Sequence, residues 1–347
     1  MADAEHPTAG AAVVDDFETR TRRFFDLIND GNIQQLRVLI DSLDADELNT
    51  LLRRTVDPVP RVIRTGSALL SAFFRRHFEI VDLLLEKGAD PNEPIIGILN
   101  DQSTNMTLLF IAVINAHLPA CRLLVSRGAN IDLGTDFGIT PLMSACNKSL
   151  MEIATFLVEN GADVNLQDGD GETALMNTCY RGNVDIVRFL LSHGANVEQS
   201  DNDGRFPLMN AAIWGHLEVC RLLVVEWAAD IDQQSPNQRN ALMGAASQGH
   251  LAVVNFLIEH GADLQHTDVQ GYNALMLAVK KGRTEMARHL VSIGASTDQL
   301  STDGKRARDL AEESGNAEMV DIFRTTATDN GRHAEGTDGQ QNDQQQH

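Results

Sequence analysis

A short motif recurs along this chain at nearly constant spacing. Gly-Ala followed by Asp, Asn or Ser begins at Gly88, Gly128, Gly161, Gly194, Gly261 and Gly294. The segment Trp227 to Asp230 fills the missing slot with Ala228 in place of glycine, and successive slots are 40, 33, 33, 34, 33 and 33 residues apart. A fixed period of this length indicates a solenoid, in which each repeat is one small structural unit packed on its neighbours. This period outweighs the two or three domains that 347 residues would otherwise suggest.

Each unit is predicted to contain two short helices. In residues 168–200, turn-forming residues come first, and Thr173 follows as the N-cap of a helix that runs through Tyr180. Gly182 ends that helix, and apolar residues at helical spacing then predict a second helix that ends at His193-Gly194. Such a pair cannot bury its own apolar face, so neighbouring pairs must stack.

Charge and composition exclude several classes of function. The chain has 28 Lys and Arg against 49 Asp and Glu, and the resulting net charge of −21 argues against nucleic acid or an anionic membrane as partner. The first ten residues lack the apolar core of a signal peptide, and four cysteines are too few for a disulfide scaffold. We therefore expect a monomeric protein of the cytoplasm, with the nucleus as the alternative compartment.

The period and its motifs resemble those of the ankyrin repeat. Thr140-Pro-Leu142, the Gly-His pairs such as Gly215-His216 and the Gly-Ala-Asp motif carry the resemblance. It implies an all-α repeat solenoid with short β-hairpin tips. We expect the array to cover residues 17–324, with about seven full repeats, a capping unit at each end and an insertion at residues 94–105. Residues 1–16 and the glutamine-rich residues 325–347 are predicted to be disordered.

We predict no enzyme, no cofactor and no metal site. The sequence contains no phosphate-binding loop, no nucleophile elbow and no Cys-x-x-Cys motif. Its histidines and cysteines recur with the spacing of the repeat, which favours structural roles. A row of methionines at equivalent positions is expected to pack in the core: Met143, Met176, Met209, Met243 and Met276.

The two residues before the Gly-His slot of each repeat are expected to line a concave groove. These fourteen positions vary between repeats and include five cations and no acid. Tyr, Trp and Arg are enriched in binding hot spots, and three of them fall in adjacent repeats. We therefore predict a scaffold whose groove binds a protein segment that is acidic or has a free C-terminal carboxylate, through Asn147, Lys148, Tyr180, Arg181, Ile213, Trp214, Lys280 and Lys281. The alternative is that these variable positions have no function and that Trp214 packs on its neighbours.

The N-terminal half also resembles the feminisation (Fem) family of ankyrin proteins, which are substrate receptors of cullin-RING ubiquitin ligases. The resemblance rests on a first unit at residues 36–52, on the insertion, and on the segment Leu175 to Gly182. It implies that Tyr180 contacts the C-terminal tail of a substrate. Lys148 stands where that family has an acidic residue, which implies a preference for acidic partners. A ligase substrate receptor is therefore the alternative to a plain adaptor.

Overall fold

The computed structural model describes residues 17–54, 67–99 and 102–324. The chain divides into two compact units, Met1–Phe137 and Gly138–His347. The disorder predicted for residues 1–16 and 325–347 concerns residues outside the described ranges. Among the described residues, no helix is both long enough and apolar enough to cross a bilayer.

The first unit contains short helices and one pair of strands. In chain order its described elements are α1 (Phe17–Asn29), α2 (Ile33–Asp41), α3 (Ala45–Arg53), α4 (Ala68–Phe74), α5 (Phe78–Glu86), β1 (Ile95–Leu99), β2 (Gln102–Met106), α6 (Leu108–Ile114) and α7 (Leu118–Ser126). Helices α1 and α2 pack together, as do α4 with α5 and α6 with α7. The expected helical pairs are therefore present in this unit.

The insertion predicted at residues 94–105 contains most of two antiparallel strands, β1 and β2. Ile95 of β1 lies opposite Met106 of β2. The next turn is tied to β2, because the Asp136 carboxylate accepts a hydrogen bond from the Asn105 backbone N–H at 2.8 Å, and its own N–H donates to Thr104 Oγ1 at 3.1 Å. The hydrogen bonds that the charged carboxylate accepts from the backbone and the side-chain amide of Asn105 hold the pKa of Asp136 below its usual value.

The second unit is a regular series of helical pairs. Its elements are α8 (Pro141–Asn147), α9 (Met151–Glu159), α10 (Ala174–Arg181), α11 (Val184–Ser192), α12 (Pro207–Ile213), α13 (Leu217–Arg221), a π-helical turn (Leu222–Glu226), α14 (Ala241–Gln248), α15 (Leu251–Glu259), α16 (Ala274–Lys280), α17 (Thr284–Ser292), α18 (Ala307–Ser314) and α19 (residues 317–324). We call the even-numbered helices from α8 to α18 the inner helices. They pack on one another in chain order, which confirms the all-α repeat array.

Local sequence signals fix the ends of these helices. Thr173 Oγ1 accepts a hydrogen bond from the Met176 N–H at 3.2 Å, which confirms the predicted N-cap. The helix ends at Arg181, one residue later than predicted, and Gly182 follows in the left-handed conformation at φ +76°. Between repeats, the turns that we call tips are linked by backbone hydrogen bonds such as that from Asn202 N–H to the Asp170 carbonyl at 3.0 Å.

The predicted row of methionines lies in the core, since each of the five is at most 4% exposed. All four cysteines are buried free thiols. Burial raises the pKa of Cys146 and Cys220 to about 12, so both thiols stay protonated and unreactive at neutral pH.

The repeat motifs at Gly194 and Ala228 are 34 residues apart instead of the usual 33, and the structure explains the extra residue. The outer helices, which follow the inner helices in each repeat, span nine residues in α9, α11, α15 and α17, whereas α13 and its π-helical turn together span Leu217 to Glu226. The extra residue is accommodated by widening the helix to a π turn. The next Gly-Ala slot contains Ala228, which adopts the left-handed conformation at φ +51°. The slots at Gly194 and Gly261 contain glycine, which tolerates positive φ without steric strain.

We expect Ala228→Gly to stabilise the array by about 1 kcal/mol, because glycine removes the left-handed strain of an L-residue. Urea unfolding of the full chain measures this change. The matched control is Gly194→Ala in the preceding repeat. Nothing lies within 4 Å of a Cβ built there, so its expected loss of stability reports backbone conformation alone. An unchanged or lowered stability of Ala228→Gly contradicts this explanation.

Candidate functional site

Hydrogen bonds between repeats fix the ends of the inner helices. His216 Nε2 donates to the Tyr180 carbonyl at 2.9 Å, and His250 Nε2 donates to the Ile213 carbonyl at the same distance. Arg283 stands in the equivalent slot and its Nε donates to the Ser247 carbonyl at 3.2 Å. The recurring histidines thus position the residues predicted to line the groove. Among the described residues, no cluster of His, Cys, Asp and Glu has the arrangement of a metal site.

Tyr180 and Trp214 form an exposed aromatic pair at the ends of α10 and α12. Their ring centroids are 4.5 Å apart in an edge-to-face arrangement at 66°. Tyr180 is 39% exposed and Trp214 is 51% exposed. Trp214 therefore does contact its neighbour, as the alternative interpretation supposed, but half of its surface faces solvent.

Cations flank the aromatic pair. The Arg181 guanidinium lies 5.7 Å from the centre of the Tyr180 ring, and its Nε donates to Asn147 Oδ1 at 2.9 Å. Lys148 follows α8, is exposed, and forms no ion pair with any described residue. The structure thus links Asn147, Arg181, Tyr180 and Trp214 in a series of contacts, and it places Lys148 directly after Asn147.

The remaining predicted residues lie at an adjacent cleft of about 600 Å³. Its lining comes from three consecutive repeats and includes Ile213, Lys280 and Lys281. The apolar part of the lining comes from the inner helices α12, α14 and α16 and consists of Met209, Ile213, Met243, Gly244 and Leu277. The polar part comes from two tips and from the last turns of α14 and α16.

A glycine inside α14 lets a side chain of the preceding repeat pack against this helix at the cleft. Gly244 occupies the position that Asn210 and Leu277 hold in the adjacent repeats. A Cβ at Gly244 would lie 2.8 Å from Ile213 Cγ1, so the Ile213 side chain occupies the space that a larger residue would fill. A glycine in a helix interior costs about 1 kcal/mol relative to alanine, so its use here is a departure from what helix stability favours.

Two arginines of the cleft were missed by the sequence analysis. Arg205 and Arg239 each precede the first residue of an inner-helix cap, the position held by Glu172 in the preceding repeat. Arg239 is anchored, because its Nε donates at 3.1 Å to Asp268 Oδ2, whose side chain is fully buried. The change from acid to base at one repeat position was the available signal in the sequence.

The tips before the cleft are acidic. Partial burial, followed by repulsion from Asp168 and Asp201, raises the pKa of Glu172, while the nearby Arg205 opposes this shift. Asp168 is itself committed to the turn, because its Oδ1 accepts hydrogen bonds from the N–H groups of Asp170 and Glu172 at 3.0 and 2.9 Å. The sign of the surface charge therefore reverses between Glu172 and Arg239.

Comparison with known proteins assigns the family. A model of a single ankyrin repeat matches residues 67–95, and a model of three ankyrin repeats matches residues 94–168, 152–235 and 227–301. Together these matches cover more than half of the chain. The chain belongs to the ankyrin-repeat family. The matching models describe ankyrin repeats in general, so the resemblance to the feminisation family stays a prediction.

A human relative provides a further match to the ankyrin array. Ankyrin repeat and KH domain-containing protein 1 of Homo sapiens is 34% identical over 97 residues, which are 28% of this chain. The chain covers 4% of the length of that protein. The similarity therefore concerns a few repeats and not the whole relative. Ankyrin repeats are protein-interaction modules, and this coarse function applies to the present array.

We expect Glu172→Gln to stabilise the array near neutral pH. A carboxyl group whose pKa is raised by folding contributes stability below its unfolded pKa of about 4.3, and this contribution is lost as the pH rises through the folded pKa. Glutamine removes the unfavourable charge, so the variant should gain stability at about pH 7 and little at about pH 4. Urea unfolding at both pH values measures this difference, and an equal gain at both would contradict the electrostatic cause.

We expect Trp214→Ala to lower the free energy of unfolding by less than about 1 kcal/mol, because half of the side chain is already exposed. The matched control is Phe206→Ala in the same repeat. Phe206 is fully buried, and its truncation should cost about 3–5 kcal/mol. Urea unfolding of both variants checks the comparison. A cost at Trp214 as large as that at Phe206 would make it a core residue.

Proposed function

We propose that this ankyrin protein is a non-catalytic adaptor that binds a segment of a partner protein along the ends of its inner helices. The observation that supports this most strongly is the exposed pair of Tyr180 and Trp214. Two large aromatic side chains in contact with each other, and accessible to solvent, offer a ready-made apolar anchor for a partner. The neighbouring Arg181 and Lys148 add charge at its edge.

The buried core and the exposed aromatic pair differ in how much apolar surface they can still remove from water. The core of the array is already buried, so binding there has little surface to gain from. Burying the exposed parts of two aromatic side chains, by contrast, removes apolar area from water. Each Å² removed contributes about 25 cal/mol of favourable free energy before the costs of association. His216 and His250 hold the backbone of Tyr180 and Ile213 in place beforehand, so little ordering is needed when the partner binds.

The proposal extends to the class of partner and to the setting. The net charge of −21 favours a protein partner over nucleic acid or an anionic membrane. We propose that the array acts as a monomer in the cytoplasm, with the nucleus as the alternative compartment.

The second candidate is substrate recognition in a cullin-RING ubiquitin ligase. The observation that favours it is the exposure of Tyr180, the residue to which the feminisation resemblance assigns contact with a substrate tail. In this version the array would reach its cullin through another subunit. The first candidate needs no such subunit and requires only the groove residues themselves.

Affinity purification from native cells, followed by mass spectrometry, tests both candidates. Tyr180→Ala/Trp214→Ala should lose the partners that the wild-type protein retains. The matched control is Trp227→Ala, which removes an exposed tryptophan near the π-helical turn and should keep them. Loss of partners together with a cullin complex would favour the ligase receptor, whereas loss without a cullin would favour the plain adaptor.

The proposal fails if the double variant and the wild-type protein retain the same partners. That result would move the binding surface to another part of the array, such as the tips or the outer helices. Circular dichroism of each variant shows that the fold is intact, so that loss of binding is not confused with loss of structure.

A further inference from the structure

The cleft carries a charge opposite to that of the whole chain. Arg205, Arg239, Lys280 and Lys281 line it together with a single acid, Asp203. The chain as a whole has a net charge of −21, so four cations at one cleft are a local reversal. A cleft of this sign concentrates anionic groups at its surface.

The cations of the cleft differ in whether they already interact with other side chains of the protein. Arg239 is anchored through Nε on the buried Asp268, which leaves its two terminal nitrogens to point away from that bond. The Lys280 ammonium lies 4.5 Å from the centre of the Tyr272 ring, and Lys281 forms no ion pair with the described residues. Arg205 pairs with Asp203 at 3.0 Å, but both side chains are largely exposed, so that bond is weak and exchangeable.

One buried polar group of the cleft lining is also unsatisfied. Asn240 caps α14 by accepting a hydrogen bond from the Met243 N–H through Oδ1, while its Nδ2 is buried and has no partner among the described residues. The equivalent amide of Asn273 donates to the Ser296 carbonyl at 3.0 Å. The Nδ2 atom is fully enclosed by the protein, so this unpaired donor is a cost to the cap of α14 and does not contribute to binding in the cleft.

The distribution of charge favours a peptide over a small anion. The four cations come from three consecutive repeats, and inner helices in contact lie about 10 Å apart, so the cations extend over about 20 Å. A single small anion is too short to reach all of them. A nucleic acid is disfavoured by the acidic tips at Asp168, Asp170 and Glu172, which flank the cleft on one side.

We propose that the cleft and the aromatic pair bind one extended acidic peptide, with an apolar side chain on Tyr180 and Trp214 and its carboxylates at Arg239, Lys280 and Lys281. This inference rests on the proposed function and specifies the partner. One repeat of about 10 Å corresponds to about three residues of extended chain at 3.3 Å each. The acidic residues should therefore follow or precede the apolar anchor by about three to six positions.

Selection from a phage-displayed library of random dodecapeptides tests this specificity. The four full-length proteins used as bait are the wild type, Lys280→Glu/Lys281→Glu, Tyr180→Ala/Trp214→Ala and the matched control Arg22→Glu/Arg23→Glu. The control replaces two exposed arginines of α1, so it changes the net charge by the same amount far along the chain from the cleft. Binding of the selected peptides is then measured by fluorescence anisotropy.

The wild type and the control should both select peptides with an apolar residue and, about three to six positions away, acidic residues. The lysine variant should still select the apolar residue, which shows that it is folded, but it should lose the acids and bind the wild-type peptides at least about tenfold more weakly. The aromatic variant should lose the apolar residue and keep the acids.

Two results would overturn the inference, and they are distinguishable. If the wild type selects apolar peptides without acids, or the lysine variant keeps the acids, the groove binds a partner but the cleft does not recognise acidic groups. If the selected sequences are the same for all four proteins, or if none is enriched, the proposed function fails as well.

Discussion

A pair of short helices can bury its apolar faces only against the next pair, and the whole second unit depends on this constraint. Stacking brings the end of an inner helix beside the start of the outer helix of the next repeat. There His216, His250 and Arg283 donate hydrogen bonds to carbonyls of the preceding repeat. The same bonds that join the repeats therefore also fix the residues on which binding is proposed to depend.

The proposed function arises where repeats differ from one another. Core positions stay alike, as the buried methionine row shows, whereas the exposed ends of the inner helices change in size and charge. Tyr180 and Trp214 supply an apolar surface in two adjacent repeats. The absence of a side chain at Gly244 lets Ile213 pack against α14, and Arg239 brings a fixed cation to the adjacent cleft. We propose that specificity results from the differences between the exposed residues of neighbouring repeats. The buried core, which is alike from repeat to repeat, holds these residues in register.

The sequence predicts what depends on local signals and misses what depends on packing between repeats. The cap at Thr173 follows from the residues of one repeat, and the burial of the methionines follows from their recurrence at equivalent positions, so the sequence predicts both. The π-helical turn before Trp227 was missed, although the 34-residue interval was its signal. The contribution of Gly244 could not be predicted from the sequence. It depends on Ile213 of the preceding repeat, whose side chain occupies the space where a side chain at position 244 would lie. The sequence places Tyr180 and Trp214 just before the Gly-His slots of adjacent repeats, but only the structure shows that their rings contact each other.

Trp214 fluorescence during binding of an acidic peptide tests the central claim most directly. The chain contains two tryptophans, so Trp227→Phe leaves Trp214 as the only one. Titration of this variant with a peptide selected on the wild type should shift the emission to shorter wavelength, because the peptide covers a side chain that is half exposed in the free protein. The reciprocal Trp214→Phe variant should show no shift. Saturable binding without a change in Trp214 emission would contradict the account.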